Sequence, residues 1–245
     1  MINIILNGAC GRMGRQVYLN AASFDSVVVA GYDYVSDASL PFPVYSSFKS
    51  ITEKADVIID FSAPATLKDE LDFAVEKKLP IVLCATGYTP DDLALISEAA
   101  KSIPVFRSAN VSLGVQVLKI LCRKAAEMLP GFDIEIVEKH HNQKKDAPSG
   151  TALLLYDAVK KDDTIPTFGR DGKDCKRVKE EIGLHAIRGG TVAGEHEVGY
   201  YGPQETILLT HSAQDRSVFA FGALRCAAFL IGREPGEYNM DDMMK

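Results

Sequence analysis

Residues 3–14 read Asn3-Ile4-Ile5-Leu6-Asn7-Gly8-Ala9-Cys10-Gly11-Arg12-Met13-Gly14, and this stretch decides the fold. Its apolar start predicts a buried strand, its glycines predict a tight turn, and an apolar spacing from Met13 through Val17 to Phe24 predicts a helix. A strand, a glycine turn and a helix in this order offer backbone N–H groups and a positive helix end to a pyrophosphate. Glycine is needed where the backbone must approach phosphate without a Cβ in the way.

The spacing of these glycines is G-x-x-G-x-x-G, which differs from the standard pattern G-x-G-x-x-G and is weak evidence by itself. Asp33 strengthens the interpretation because it follows a second apolar run at 27–31. A carboxylate at that place can accept both hydroxyls of an adenosine ribose. We therefore predict a dinucleotide site, and the alternative is a tight strand-to-helix turn with an exposed aspartate.

The composition is that of a globular protein with one large domain or two modest ones, since 245 residues include 47% hydrophobic and 24% charged residues. The net charge of −6 argues against nucleic acid as a partner, because phosphate binding favours a basic surface. The start lacks a signal-peptide pattern, and no apolar run reaches the ~20 residues of a membrane span. We therefore predict no membrane association. The five scattered cysteines form no C-x-x-C pair, so we also predict no metal site and a cytoplasmic location.

Strands and helices alternate over roughly the first hundred residues. An apolar stripe predicts a helix at 67–75, and Thr89 predicts the start of another. The predicted strands after the second one are 56–61, 81–84 and 103–106. This order predicts an α/β fold with a Rossmann-like, doubly wound parallel sheet. Ligands of such sheets bind beyond the carboxyl ends of the strands, where small or polar residues follow at 8–14, 61–64, 85–88 and 108–111.

The second half of the chain has a different pattern. A helical stripe at 115–128 precedes an alternation of apolar and acidic residues at 132–136, which predicts a half-buried strand. Segments 195–200 and 205–210 predict antiparallel strands. Together they predict a smaller α+β domain with an open mixed or antiparallel sheet, and the exposed face of such a sheet often finds cover by oligomerisation.

Two further segments complete the domain assignment. Residues 163–183 lack periodicity and predict a surface loop, whereas residues 218–231 are apolar nearly all round and predict a buried helix. We assign residues 1–111, completed by a C-terminal helix at 217–245, to a dinucleotide-binding domain. We assign residues 112–216 to substrate binding, catalysis and oligomerisation.

The densest group of titratable residues lies at 138–152 and contains His140, His141 and Lys144. Two imidazoles beside an ammonium group suit proton transfer near neutral pH, because a neighbouring cation lowers the pKa of an imidazole. The alternative is a solvated strand end followed by an exposed turn. A metal site through the two histidines is disfavoured because no third ligand lies nearby in the sequence.

Ser149 can cap a helix that begins with Gly150-Thr151. The N–H groups at such a helix start form an anion site, and Lys144 opposite them suggests a clamp for a carboxylate. A nucleophilic role for Ser149 is disfavoured because no G-x-S-x-G motif surrounds it.

Segments 8–14 and 140–152 together closely resemble the dihydrodipicolinate reductase family of lysine and diaminopimelate biosynthesis, and the second segment is highly specific. The resemblance covers almost the whole chain through Asp60-Phe61-Ser62, Thr86-Gly87, Asn110-Val111-Ser112, Arg188-Gly189-Gly190, Gly194-Glu195-His196, Thr210-His211 and Arg216. It implies NAD(P)H-dependent reduction of a cyclic imine dicarboxylate to tetrahydrodipicolinate. The cofactor would be NADH, NADPH or both, and the assembly would be a homotetramer formed through the sheet of the second domain.

The resemblance also implies a role for individual residues. His140 would be the acid–base residue and Lys144 the proton donor, while His141 would contact the substrate and the backbone of Gly150 and Thr151 would hold a substrate carboxylate. The implied cofactor-binding residues are Gly8, Ala9, Cys10, Gly11, Arg12, Met13, Asp33, Cys84, Ala85, Thr86, Ser108, Ala109, Asn110 and Val111.

Two departures from the family pattern concern the cofactor. Tyr34 stands where many relatives have arginine after the ribose-binding acid, so a 2′-phosphate would lose a charge-assisted partner and lie near Asp33. We therefore expect NADH to be used at least as well as NADPH. Cys84-Ala85 stands where a Gly-Thr pair is common, which leaves the contacts near the nicotinamide open.

Two other functions compete with this interpretation. One is a dehydrogenase of aspartate or diaminopimelate built on the same two-domain plan. The other is a redox-sensing protein that binds NADH without turnover, which the dense histidine and lysine segment disfavours.

Overall fold

The computed structural model describes residues 1–245, which divide into two units: residues 1–112 with 216–245, and residues 113–215. In the first unit, the strands are β1 Ile2–Asn7, β2 Ser26–Tyr32, β3 Val44–Tyr45, β4 Val57–Asp60, β5 Ile81–Leu83 and β6 Pro104–Arg107. The helices between them are α1 Arg12–Ala21, α2 Leu67–Lys77 and α3 Pro90–Ala99.

The second unit contains two helices and one mixed sheet. Its helices are α4 Leu113–Met128 and α5 Gly150–Val159. Its strands are β7 Asp133–His140, β8 Ile165–Phe168, β9 Glu181–Arg188, β10 Gly194–Tyr201 and β11 Thr206–Ala213. The end of the chain returns to the first unit as α6 Ser217–Leu230, β12 Gly236–Tyr238 and α7 Met240–Met243.

The first unit contains a seven-stranded sheet in the order β12-β6-β5-β4-β1-β2-β3, and all of its strand pairs are parallel. One hydrophobic cluster packs α1 and α6 against one face, with Val17 and Leu224 fully buried. A second cluster packs α2 and α3 against the other face, with Leu71 and Ile96 buried. Helices on both faces of a parallel sheet confirm the predicted Rossmann-like α/β fold.

The second unit contains a five-stranded sheet in the order β11-β10-β7-β9-β8. β7 runs parallel to β9 and antiparallel to β10, so the sheet is mixed. Helices α4 and α5 cover one face, where Leu118, Leu155 and Tyr200 are buried. The predicted α+β architecture with an open mixed sheet is therefore confirmed.

Two predictions about secondary structure were wrong. Residues 163–183 are not simply a loop, because they contain β8 and the start of β9. β8 is an edge strand that pairs only with β9, so it shows no alternation of buried and exposed residues. Residues 217–245 are not a single helix, because β12 extends the parallel sheet beside β6 after α6 ends.

None of the helices combines the length and the apolar character that crossing a membrane would require.

Candidate functional site

The parallel sheet of the first unit brings five loops to one edge. Because all its strands point the same way, the residues that follow their carboxyl ends lie along the same side of the sheet. These are the glycine loop after β1, Asp33 after β2, Phe61 after β4, Cys84-Ala85-Thr86 after β5 and Ser108–Val111 after β6. The predicted cofactor-binding residues therefore share one edge.

The glycine loop is packed so closely that its glycines cannot be replaced without movement. Gly8 has a φ of +78°, and a Cβ there would lie 3.0 Å from the carbonyl oxygen of Phe61. A Cβ on Gly14 would lie 2.2 Å from the carbonyl oxygen of Gly8. Gly11 is the N-cap of α1 and supplies no side-chain cap. The first turn of α1 thus leaves room for an external anion.

Asp33 lies beside this loop. Its Oδ2 accepts a hydrogen bond of 2.9 Å from the N–H of Cys10, and its Oδ1 accepts one of 3.3 Å from the N–H of Val35. Arg15 forms an ion pair with Asp37 close to the same loop. The next residue is Tyr34, which is exposed and carries no positive charge.

A cavity of about 210 Å³ opens between the glycine loop, the loops after three strands and α6. It is lined by Met13, Phe61, Cys84, Ser108, Ala109, Val111 and Phe219. Burial raises the pKa of the Cys84 thiol well above its usual value, so this cysteine is a neutral, small lining residue. The Oγ of Ser108 donates a 2.7 Å hydrogen bond to the carbonyl of Asn110, which closes the 108–110 turn on itself.

Phe61 and Phe219 line this cavity but were not among the predicted site residues. Phe61 directly follows an apolar strand, and that position was a usable signal in the sequence. Phe219 lies on α6, far along the chain, and only the return of α6 to the first unit places it here.

A dinucleotide fits this edge of the sheet on three observations. The glycine loop makes a tight turn against the loop after β4, the start of α1 lacks a side-chain cap, and a cavity lies beside Cys84. Asp33 is placed where a ribose is recognised in such folds.

In the second unit, the pleat of β7 places a polar pair on a buried face. Ile136, Glu138 and His140 alternate along the strand and are all buried, whereas Lys139 is exposed. The same alternation that buries Ile136 therefore carries a carboxylate and an imidazole under α5. Sequence reasoning missed Glu138, although extending the apolar alternation at 132–136 by two residues predicts its burial.

Glu138 is the centre of a saturated network. Its Oε2 accepts hydrogen bonds from His140 Nδ1 at 2.6 Å and Arg188 Nη1 at 2.8 Å. Its Oε1 accepts hydrogen bonds from Arg188 Nη2 at 2.7 Å and from the N–H of Ser149 at 3.1 Å. Burial alone would raise the pKa of Glu138, but the bonds from Arg188 and His140 hold it below its ordinary value, so the carboxylate is ionised.

His140 has a pKa below its ordinary value. Burial is the main cause, and the charges of Lys144 and Arg188 lower the pKa further. Glu138 acts in the opposite direction, because an adjacent carboxylate favours the imidazolium. His140 is thus neutral in most molecules near pH 7 and can still accept a proton.

His196 on β10 lies beside His140, with ring centroids 5.2 Å apart. Its Nε2 lies within hydrogen-bond distance, 3.0 Å, of Ser149 Oγ. The same oxygen caps α5 by accepting a hydrogen bond from the N–H of Ala152. Burial lowers the pKa of His196 to about 4, with a further contribution from His140. His196 is therefore neutral, and although its segment is part of the family resemblance, the sequence assigned it no role in the site.

The loop between β7 and α5 holds the other predicted residues. Lys144 Nζ forms an ion pair of 2.9 Å with Asp146, and Arg188 donates a 2.7 Å hydrogen bond to the carbonyl of Asp146. The N–H of His141 donates to the carbonyl of Val192 at 2.8 Å. Arg188 thus links this loop to the sheet.

The helix start beside this loop is open. Ser149 caps α5, as predicted, and a Cβ built on Gly150 meets no atom within 4 Å. Space in front of the first turn is what an anion approaching the N–H groups of Gly150 and Thr151 would need. His140 is 9% exposed, so the alternative of a solvated strand end does not describe it.

The family comparison matches both units. A family described as "Dihydrodipicolinate reductase, N-terminus" matches residues 2–111, and one described as "Dihydrodipicolinate reductase, C-terminus" matches residues 114–244. Together these matches cover nearly the whole chain.

Individual relatives are described as 4-hydroxy-tetrahydrodipicolinate reductases. A 4-hydroxy-tetrahydrodipicolinate reductase of Caldanaerobacter subterraneus subsp. tengcongensis is 49% identical over 100% of this chain and 99% of its own length. One of Clostridium tetani is 47% identical over 100% of this chain and 97% of its own length. A solved dipicolinate-bound dihydrodipicolinate reductase of Paenisporosarcina sp. TG-14 has a TM-score of 0.81 at 21% identity, covers 98% of this chain and 97% of that one, and shows the same fold. The chain therefore belongs to the dihydrodipicolinate reductase family.

Proposed function

We propose that this protein reduces dihydrodipicolinate (4-hydroxy-tetrahydrodipicolinate) to tetrahydrodipicolinate with NADH or NADPH, as a cytoplasmic step of lysine and diaminopimelate biosynthesis. The observation that carries the proposal is the buried Glu138–His140–Arg188 network beside Lys144 and the open start of α5. Family membership over the whole chain supports it. The reaction needs a hydride donor and a proton donor, and the two units have features suited to one each.

The cofactor would be held by the first unit. The glycine loop and the first turn of α1, Gly8 to Met13, would receive the pyrophosphate, and Asp33 would receive the adenosine ribose. Residues 84–86 and 108–111 would line the nicotinamide end, where the cavity lies. The bound dinucleotide supplies the hydride, and the protein supplies orientation.

The substrate would be held by the second unit. It is a dicarboxylate, so a cation and a helix start favour its binding despite the chain's net charge of −6. Lys144 and the backbone N–H groups of Gly150 and Thr151 would hold one carboxylate, and His141 would contact the ring or the second carboxylate. Holding the ring in one orientation contributes much of the rate enhancement.

Proton transfer would be the task of His140 and Lys144. The Nδ1–H of His140 donates a hydrogen bond to ionised Glu138. In the neutral ring, Nε2 is therefore the atom that would accept a proton. Lys144 would donate the proton that the reduced ring requires, and it would then be reprotonated by His140 or by solvent.

NADH is expected to be used at least as well as NADPH. Asp33 and Asp37 place two carboxylates near the ribose end of the site, and Arg15 is already paired with Asp37. Tyr34 offers no positive charge to a 2′-phosphate. A 2′-phosphate would therefore lie near carboxylates without a cation directly after Asp33 in the chain to offset the repulsion.

The proposal is tested by following NADH and NADPH oxidation by absorbance, with substrate generated enzymatically from pyruvate and aspartate semialdehyde. We expect substrate-dependent oxidation of both, with kcat/KM for NADH equal to or above that for NADPH. Binding of NADH without oxidation would support a redox sensor instead. NAD-dependent oxidation of aspartate or diaminopimelate, without reduction of the cyclic imine, would support a different dehydrogenase.

A further inference from the structure

Glu138 has no hydrogen-bonding capacity left for a ligand. Its side chain is 1% exposed, and its two oxygens accept four hydrogen bonds, two from Arg188, one from His140 and one from the backbone of Ser149. A carboxylate in this state is an acceptor only. Glu138 therefore does not bind the substrate, and its effect must pass through the groups that it holds.

We propose that Glu138 is a positioning residue that holds the imidazole of His140 and the capped start of α5 in one geometry. The inference rests on the proposed function, because it gives a role to a residue that supports His140 and the carboxylate clamp. One carboxylate would thereby couple proton transfer to the binding of the substrate carboxylate.

The tautomer of His140 is the first consequence. Because ionised Glu138 can only accept at Nδ1, the neutral imidazole carries its proton there and presents a lone pair at Nε2. The ring edge with Nε2 lies against Gly194, where a Cβ would come within 3.1 Å of Nε2. Glycine at position 194 thus spares this nitrogen the close contact that a side chain there would make.

The start of α5 is the second consequence. The N–H of Ser149 donates to Glu138 while the Oγ of Ser149 accepts the N–H of Ala152. Ser149 is the residue directly before Gly150 and Thr151, whose N–H groups form the proposed carboxylate site. A displacement of Glu138 would therefore move the carboxylate site as well as the imidazole.

The charges around His140 make the proposal measurable. Glu138 faces it from its own strand β7, Arg188 from β9, His196 from β10 and Lys144 from the loop before α5. Arg188 and Lys144 disfavour the imidazolium, His196 is neutral, and Glu138 alone favours it. Removing the charge of Glu138 must therefore lower the pKa of His140.

The test compares the wild-type protein with Glu138→Gln and Glu138→Asp. The imidazole pKa of His140 is measured by NMR titration of the substrate-free protein, with its signal among the five histidines identified from its loss in His140→Gln. We expect Glu138→Gln to lower this pKa by about 1–3 units, the range for loss of an adjacent opposite charge. We expect kcat to fall ~10- to 100-fold and KM to rise.

Glu138→Asp keeps the negative charge but shortens the side chain by one methylene group, so the carboxylate no longer meets all of its partners. We expect it to retain most of the His140 pKa while lowering kcat, a split that loss of fold would not produce. Glu127→Gln is the matched control, because Glu127 pairs with Lys124 on the exposed surface of α4 in the same unit. It should leave the titration, kcat and KM unchanged.

An unchanged His140 pKa in Glu138→Gln, or unchanged kcat and KM in both variants, would overturn the proposal. If Glu138→Gln does not fold, the test rests on Glu138→Asp. Values of kcat and KM in Glu138→Asp equal to those of wild type would then exclude a positioning role for Glu138. Failure of the wild-type protein to reduce the cyclic imine would instead overturn the proposed function, while the titration would still report on the coupling of Glu138 to His140.

Discussion

Single residues in this protein acquire their chemistry from what lies beside them. His140 and His141 are adjacent in the sequence, yet His140 is buried against Glu138 while His141 lies at the start of a loop. They differ because β7 ends at His140, so the alternation of the strand holds only the first histidine on the buried face. The acid–base role is therefore proposed for the first histidine only.

Replacement of His140 by glutamine should lower kcat by ~10²- to 10⁴-fold, the usual range for loss of a general acid–base group. The dissociation constant for NADH should stay unchanged, because His140 belongs to the second unit. Lys144→Ala should lower kcat and also raise KM for the substrate. Steady-state kinetics and NADH fluorescence titration measure these effects, and wild-type constants in both variants would contradict the assignment.

A second pair of residues illustrates the cost of an unpaired buried acid. Glu70 is fully buried, and neither of its carboxyl oxygens has a hydrogen-bond partner. Burial and the nearby carboxylate of Asp60 raise its pKa well above the usual value. Burial likewise raises the pKa of Asp60 to about 6. The folded state therefore holds protons that the unfolded chain has already released at neutral pH.

This difference predicts that stability falls as pH rises. An acid whose pKa is raised by folding costs nothing below its unfolded pKa, and it destabilises the fold progressively as pH rises through its folded pKa. Glu70→Gln removes this penalty. The difference in free energy of unfolding between Glu70→Gln and wild type should therefore shift in favour of the variant by about 1–3 kcal/mol when the pH is raised from about 5 to about 8. Denaturant titrations at both pH values measure it, with exposed Glu76→Gln on the same helix as control. Equal pH profiles for Glu70→Gln and wild type would refute it.

Elements with strong local signals agree with the sequence prediction. The helix predicted to start after Thr89 begins at Pro90, and Thr89 and Asp92 form a capping box. Ser149 caps α5, as predicted, with its hydroxyl accepting the N–H of Ala152. β8 was missed because it lies at the edge of the sheet and its residues have no alternating burial to reveal it. Local patterns report capping and burial but not the pairing of an edge strand.

The capping box of α3 provides a test at this scale. Thr89→Ala removes the acceptor for the N–H of Asp92, so we expect a loss of about 1 kcal/mol in stability and a lower Tm by ~2–4 °C. Activity should be unchanged. Thermal unfolding followed by circular dichroism measures the effect, and exposed Ser50→Ala is a control of similar size. A Tm equal to that of wild type would show that the cap contributes nothing.

At the scale of the molecule, the uncovered face of the second unit's sheet requires an explanation. Helices α4 and α5 cover one face, while Ile187, Tyr201 and Leu208 on the other are 49%, 38% and 51% exposed. Apolar side chains on an open sheet face suit association with other copies of the chain. The homotetramer remains our prediction, and this face would form its interface.

Light scattering should therefore give four times the chain mass of 26.7 kDa for the wild-type protein. Leu208→Lys places a charge in the expected interface and should yield smaller species, because an unpaired buried charge is costly. Leu19→Lys is the matched control, since Leu19 is 66% exposed on α1 in the first unit. A monomeric wild type, or an unaffected Leu208→Lys tetramer, would refute this interface.

The sequence by itself determined the two-domain α/β plan, the glycine loop, the cap of α5 and the family, because these depend on local periodicity and on residues close together in the chain. The tertiary structure decided the rest. Arg188 and His196 lie far along the chain from His140 and reach it only through the pairing of β7 with β9 and β10. Phe219 likewise reaches its cavity only because α6 returns to the first unit. Contacts between distant segments depend on strand order and chain return, which local sequence patterns do not encode.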